Sequence, residues 1–155
     1  MKRIVIIFLS SLFSLTVSAQ SYKGADRPFN LSQELNDLYC SGLFQSTEGT
    51  IIDVANNMGA RAWLNVLDWL EGRVAGLQVY KSKSGAKIPV IRGGVPGVYV
   101  DEMSVPLDYL NSLNTADIAI IKVIKTPFFG GFNGGNGAIA IYTLGGEEED
   151  LEHID

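Results

Sequence analysis

Trp63-Leu64-Asn65-Val66-Leu67-Asp68-Trp69-Leu70-Glu71-Gly72-Arg73-Val74-Ala75-Gly76-Leu77-Gln78-Val79-Tyr80 holds the change of hydrophobic period on which the fold turns. Trp63, Val66, Leu67, Leu70 and Val74 recur at i, i+3, i+4, i+7 and i+11, while Asn65, Asp68 and Glu71 face the other way. That spacing predicts an amphipathic helix ending around Gly72–Gly76. Trp69 falls off its buried stripe and is either an ordinary exposed aromatic or part of a contact surface. Beyond Gly76 the helical period stops, and Leu77 to Tyr80 reads as a short strand.

Working towards the C-terminus, Ile88-Pro89-Val90-Ile91 and Val98-Tyr99-Val100 are short, β-branched or aromatic, and bounded by Gly and Pro. Asp101-Glu102 reads as a polar hairpin turn. Pro106 opens a short helix over Leu107–Leu113, where its missing N–H costs nothing. Ile118 to Ile124 is apolar on nearly both faces, which suggests a central strand. A glycine-rich loop follows, with Phe128, Phe129, Phe132 and Asn133 among its glycines, and Ala138–Thr143 is a last strand. The reading is an α/β (α+β mixed) domain: a small mixed β-sheet with two helices packed on it.

Working towards the N-terminus, the domain is expected to start near residue 48 and run to 146. Residues 43–50 read as a linker. Before them Leu31, Leu35 and Leu38 recur at helical spacing, with Asn30 and Gln33 placed for a capping box and Gly42 for the helix end. A helix of about ten residues is too short to stand alone and must dock on something. Residues 20–47 are therefore a leader carrying one short helix. Residues 1–19 read as a cleaved signal peptide: Met1-Lys2-Arg3, an apolar run over Ile4–Val17, and small residues at Val17-Ser18-Ala19. The run is shorter than the roughly 20 residues of a spanning helix, so no transmembrane segment is expected after cleavage. Cys40, the only cysteine, is either buried and inert or free to pair between chains, and its place at the end of an apolar-periodic segment favours burial.

Without Lys2 and Arg3 the exported chain carries 10 basic and 17 acidic residues, and six of those acids lie in Glu147–Asp155. That end reads as an acidic disordered tail. The body over residues 20–146 is close to neutral, with 10 basic against 11 acidic residues, which gives no footprint for nucleic acid. His153 is the only histidine and sits in the tail, a poor place for an imidazole that must be held against a nucleophile. The glycine loop lacks a Gly-Lys-Ser/Thr ending and precedes a strand, not a helix, so it offers no phosphate cradle. No enzyme, cofactor or metal is expected. The phenylalanines of the loop are either a core flap or an apolar contact tip.

Five stretches, in order, resemble the plug domains of SusC-like TonB-dependent outer-membrane receptors. Val66 to Val79 looks like their "L…L-x-G-R-V-A-G-L-x-V" run, and Ile91-Arg92-Gly93-Gly94 matches their I-R-G motif. Pro96-Gly97-Val98-Tyr99-Val100-Asp101 resembles the P-L-Y-V-V-D hairpin. Asn114-Thr115-Ala116-Asp117-Ile118 with Lys122-Val123-Ile124-Lys125 resembles N-x-x-D-I…E-V-L-K, and Asn136 to Thr143 matches the closing N-G-V-I-x-I-x-T. The resemblance spans about residues 50–145. It implies a globular domain that sits inside a β-barrel, gates nutrient uptake and pairs the Arg92 position with carboxylates of the barrel wall.

Three departures shape the functional expectation. Only nine residues follow Gly146, against roughly 9–11 for a single membrane strand. The arginine of the family's G-S-R-G-A-N-G loop is Asn133 here. The small alanine-rich helix before it is replaced by Thr126-Pro127-Phe128-Phe129-Gly130. Glu102 also stands where the hairpin usually has Gly. The expectation is an exported, non-catalytic, free-standing plug-like module in the periplasm, or on the periplasmic face of the outer membrane, of a Gram-negative bacterium. Its partner would be an envelope protein or a receptor barrel, contacted through Arg92, Gly93, Gly94, Phe128, Phe129, Phe132 and Asn133. The alternative is the gating fragment of a receptor whose barrel is separate or lost.

Overall fold

The computed structural model describes residues 30–131 and 133–145. The segments read as a signal peptide, as the first part of a leader and as an acidic tail with His153 lie outside them. Seven strands carry the domain: β1 Thr50–Asp53, β2 Leu77–Lys81, β3 Lys87–Ile91, β4 Gly97–Val100, β5 Met103–Ser104, β6 Ile118–Ile124 and β7 Ala138–Thr143. Four helices accompany them: α1 Leu31–Tyr39, α2 Gly42–Ser46, α3 Val66–Leu70 and α4 Leu107–Ser112. Five strands form one sheet in the order β1-β6-β7-β4-β5, and β2 pairs with β3 as a separate hairpin. Only the β4–β7 pair is parallel; its neighbours run antiparallel.

Side chains alternate across the sheet with the strand period of two, and both faces are covered. Val98, Val100, Ile121, Val123, Ile139 and Ile141 meet α3, α4 and the β2–β3 hairpin in the larger core cluster. Tyr99, Ile120, Ile124, Ala138, Ala140 and Tyr142 point the other way, onto Cys40, Phe44 and Phe128. A register shift between Ile118 and Ile120 lets Ile118 join the larger cluster together with Ile121. β6 is buried at all seven positions, as a central strand should be.

The helix over residues 63–76 is much shorter than its apolar spacing predicts, and its two tryptophans exchange places. Asn65 caps the helix, its side-chain oxygen accepting from the N–H of Leu67 at 2.9 Å and of Asp68 at 3.3 Å. Trp63 precedes the cap in extended backbone, so helical periodicity does not reach it, and it is 41% exposed. Trp69 is fully buried. A helix of little more than one turn is enclosed on every side except that of Asp68, whose carboxylate pairs with the Lys87 ammonium. Asn111 of α4 then ties the layer together, bonding the backbone of Lys87 through both amide atoms while its carbonyl accepts from Asn65.

The N-terminal part differs from expectation in three respects. α1 forms, but Asn30 makes no side-chain cap bond, and Leu31 and Leu38 face solvent; it is Leu35 and Tyr39 that pack inwards. Gly42, expected to stop the helix, instead begins α2, which occupies residues read as linker. Thr50–Asp53 is a strand whose two apolar residues gave no alternation to read. Its antiparallel pairing with β6, Thr50 opposite Val123 and Asp53 opposite Ile120, supplies the stability its own sequence lacks.

Candidate functional site

Two of the segments expected to make contact, the Arg92 turn and the glycine loop, touch each other. Ile91 and Gly94 exchange backbone hydrogen bonds of 2.9 and 3.1 Å, closing a tight turn with Arg92 at φ 54° and Gly93 at φ 81°. The Arg92 guanidinium reaches the carbonyl of Lys125 at 3.5 Å, a long and weak bond that leaves its other donors facing solvent. Gly94 lies directly against the side chain of Asn136, where a Cβ would overlap it. The Arg92 turn and the glycine loop are therefore neighbours.

The glycine loop separates its aromatic rings. Phe128 is 2% exposed and packs on Phe44 and Tyr99, with ring centroids 4.7 and 5.4 Å apart. Its N–H donates to the carbonyl of Gly134 at 2.8 Å, and its own carbonyl crowds Gly134 so closely that no Cβ fits there. Phe128 is therefore a core residue and not a contact. The backbone fold that seats it turns the next side chain outwards, and Phe129 is 86% exposed. Asn133 is exposed in the left-handed region at φ 63° and leads into a single helical turn, Gly134–Asn136. Phe132 lies outside the described residues. What remains exposed of the expected set is Arg92, Gly93, Phe129 and Asn133.

A second polar constellation was not anticipated as such. Asp101 and Glu102 both have positive φ, 46° and 65°, the geometry of a tight hairpin turn that favours Asn and Gly. Both carboxylates are engaged. Asp101 accepts from the N–H of Thr143 at 2.9 Å and from its hydroxyl at 2.8 Å. Glu102 accepts from the Ser41 N–H at 2.6 Å, from the Ser41 hydroxyl, and from the Tyr142 hydroxyl at 3.1 Å. On β6 the Lys122 side chain is buried, and its ammonium donates to Asn36 Oδ1 and to the carbonyl of Phe44, each at 2.5 Å. Among the described residues no carboxylate pairs with it. Burial pushes the Lys122 ammonium below its ordinary range. Burial likewise pushes the Cys40 thiol up, and the Tyr142 hydroxyl up with further contributions from Cys40 and Glu102. A thiol held protonated in this way is a poor nucleophile. The clue in the sequence was a lone lysine inside a seven-residue apolar strand.

An open polar cleft of about 710 Å³ lies beside this lysine, lined among others by Asn36, Gln45, Thr47, Glu48, Lys122 and Lys125. Among the described residues no three His, Cys, Asp or Glu side chains converge as a metal site would need, and no helix is long and apolar enough to cross a membrane.

No family model matches the chain, and no curated protein matches it. Solved structures do. The RagAB peptide importer in its closed-closed state aligns over 63% of this chain and 12% of its own, at 24% identity and a TM-score of 0.52. The ferric enterobactin receptor PfeA aligns over 61% of this chain and 17% of its own, at 18% identity and a TM-score of 0.51. A mutant of that receptor from Pseudomonas aeruginosa aligns over 74% of this chain and 19% of its own, with the same identity and TM-score. This chain thus spans less than a fifth of the proteins it resembles. Those proteins are a peptide importer and a ferric enterobactin receptor, and the chain has the fold of one plug-like portion of them.

Proposed function

We propose that this chain is an exported, non-catalytic plug-like module acting at the periplasmic side of the outer membrane, where it binds an envelope protein. The observation that carries the reading is Phe129, a large ring standing 86% exposed on a plug-like fold. A large aromatic side chain exposed on the surface is the composition of an interface anchor. Under a second reading the same end of the domain faces the wall of a barrel supplied by another chain. The support for it is that the aligned receptors extend far beyond the shared portion.

The experiment is a pull-down from envelope extract with the exported chain as bait, comparing the unaltered protein with Phe129→Ser and Arg92→Ala. Phe129→Ser is expected to reduce partner recovery at least tenfold with the melting temperature unchanged, because surface substitutions usually stay within about 0.5 kcal/mol. Recovery unchanged by Phe129→Ser would overturn the proposal. Loss on Arg92→Ala as well, with a barrel protein in the eluate, would select the second reading.

A further inference from the structure

Residues 30–47 lie across one face of the sheet and are held there through side-chain contacts. α1 buries none of its residues, and none of residues 30–47 enters the larger core cluster on the opposite face. Among the described residues, no backbone hydrogen bond joins this segment to the sheet. Leu35, Tyr39 and Cys40 pack on the smaller cluster, Tyr39 with its ring 6.3 Å from that of Tyr142, and three further fasteners hold the segment. The Glu102 carboxylate grips Ser41 at the start of α2 through both its N–H and its hydroxyl. The Lys122 ammonium grips Asn36 of α1 and the Phe44 carbonyl of α2. The Phe44 ring is wedged between Tyr99 and Phe128, with centroids 5.1 and 4.7 Å away.

We infer that residues 30–47 form a strap that opens as a unit about Thr47–Gly49, uncovering the aromatic face built by Tyr99, Phe128 and Tyr142 while the sheet and its larger core stay folded. The separation of the two clusters makes this physically reasonable, because opening forfeits only the smaller one. Both polar fasteners are charge-assisted and are contributed by single side chains of the sheet, so the loss of either loosens the strap. Glu102 and Phe128 sit at positions where the sequence departs from the plug pattern, and both departures serve this contact. The Lys125 and Glu48 side chains line the cleft beside the strap without gripping it.

Cys40 reports the opening. It lies between α1 and α2 at 5% exposure and is the only cysteine of the chain, so a thiol reagent modifies it only when the strap lifts or the protein unfolds. The full chain is treated with an aromatic disulfide reagent at neutral pH and the rate of thiolate release is followed. Glu102→Gln is expected to accelerate modification about tenfold, and Lys122→Met to accelerate it as well. Leu67→Ala, which opens a cavity in the larger core, should lower the global melting temperature and leave the Cys40 rate unchanged. Amide exchange supplies a second measurement: β6 and β7 should stay protected in Glu102→Gln while α1 and α2 lose protection. The inference is overturned if the Cys40 rate rises with Leu67→Ala in step with global unfolding. A rate that neither Glu102→Gln nor Lys122→Met alters would overturn it too.

Discussion

Two adjacent phenylalanines should behave as if they belonged to different proteins. Phe128 is buried to 2% and touches two other rings, whereas Phe129 is 86% exposed. Truncating Phe128 to Ala removes a ring from a site closed by Phe44, Tyr99 and the loop backbone. Little of that surrounding can collapse into the space, because Gly134 is already in contact with the Phe128 carbonyl. The expected cost is about 3–5 kcal/mol, the transfer and cavity contributions together. Phe129→Ala should change stability by no more than about 0.5 kcal/mol. Urea unfolding followed by tryptophan fluorescence is the assay, with fully buried Trp69 as the reporter. With a slope of about 1–3 kcal/mol per molar urea, Phe128→Ala moves the midpoint down by roughly 2 M. A loss below about 1 kcal/mol for Phe128→Ala, or above about 2 kcal/mol for Phe129→Ala, would refute the division of the loop into a core side and a surface side.

Alkaline stability follows from the smaller cluster. The raised pKa values of Cys40 and Tyr142 contribute stability that is complete below their unfolded values of 9.0 and 10.0 and is lost as pH climbs beyond them. Lys122 is lowered, so it has the opposite sign, and its gain is complete by the unfolded value of 10.5. Above that pH the melting temperature should fall, and Tyr142→Phe should flatten the decline; an equally steep decline in the variant would count against the cluster as its origin. Gly94→Ala forces a Cβ into the Asn136 side chain and should cost about 1–3 kcal/mol, most of it recovered by Asn136→Ala in the same chain. Additive losses in the double variant would mean that the two loops are not in contact.

The strands rich in β-branched residues were legible from the sequence because their signals are local. Val98–Val100, Ile118–Ile124 and Ala138–Thr143 each carry an apolar run bounded by turn residues, and each is a strand. β1 was not legible, since its existence depends on Ile121 and Lys122 of a distant strand. Trp69 was misplaced because periodicity assumes a helix long enough to have an outer face, and α3 is too short to present one. The proximity of the Arg92 turn and the glycine loop was not legible, because it depends on the contact of Gly94 with Asn136. Nor were the loop's rings legible one by one: whether Phe128 or Phe129 turns inwards depends on a backbone crossing at Gly134. The role of Glu102 depends on Ser41, 61 residues away along the chain.

The place of β7 within the sheet has a consequence for biogenesis. It is the last strand of the described chain, yet it lies between β6 and β4, joining one antiparallel pair to another through the only parallel contact. Until Ala138–Thr143 is available, β1–β6 and β4–β5 are two separate ribbons, each with an open edge and a half-covered apolar face. Parallel closure over a long intervening loop is slow, because loop entropy is lost before any pairing compensates for it. A chain threading through a membrane from its N-terminus would stay unfolded until nearly all of the domain had emerged, and would then close around its final strand in a single step.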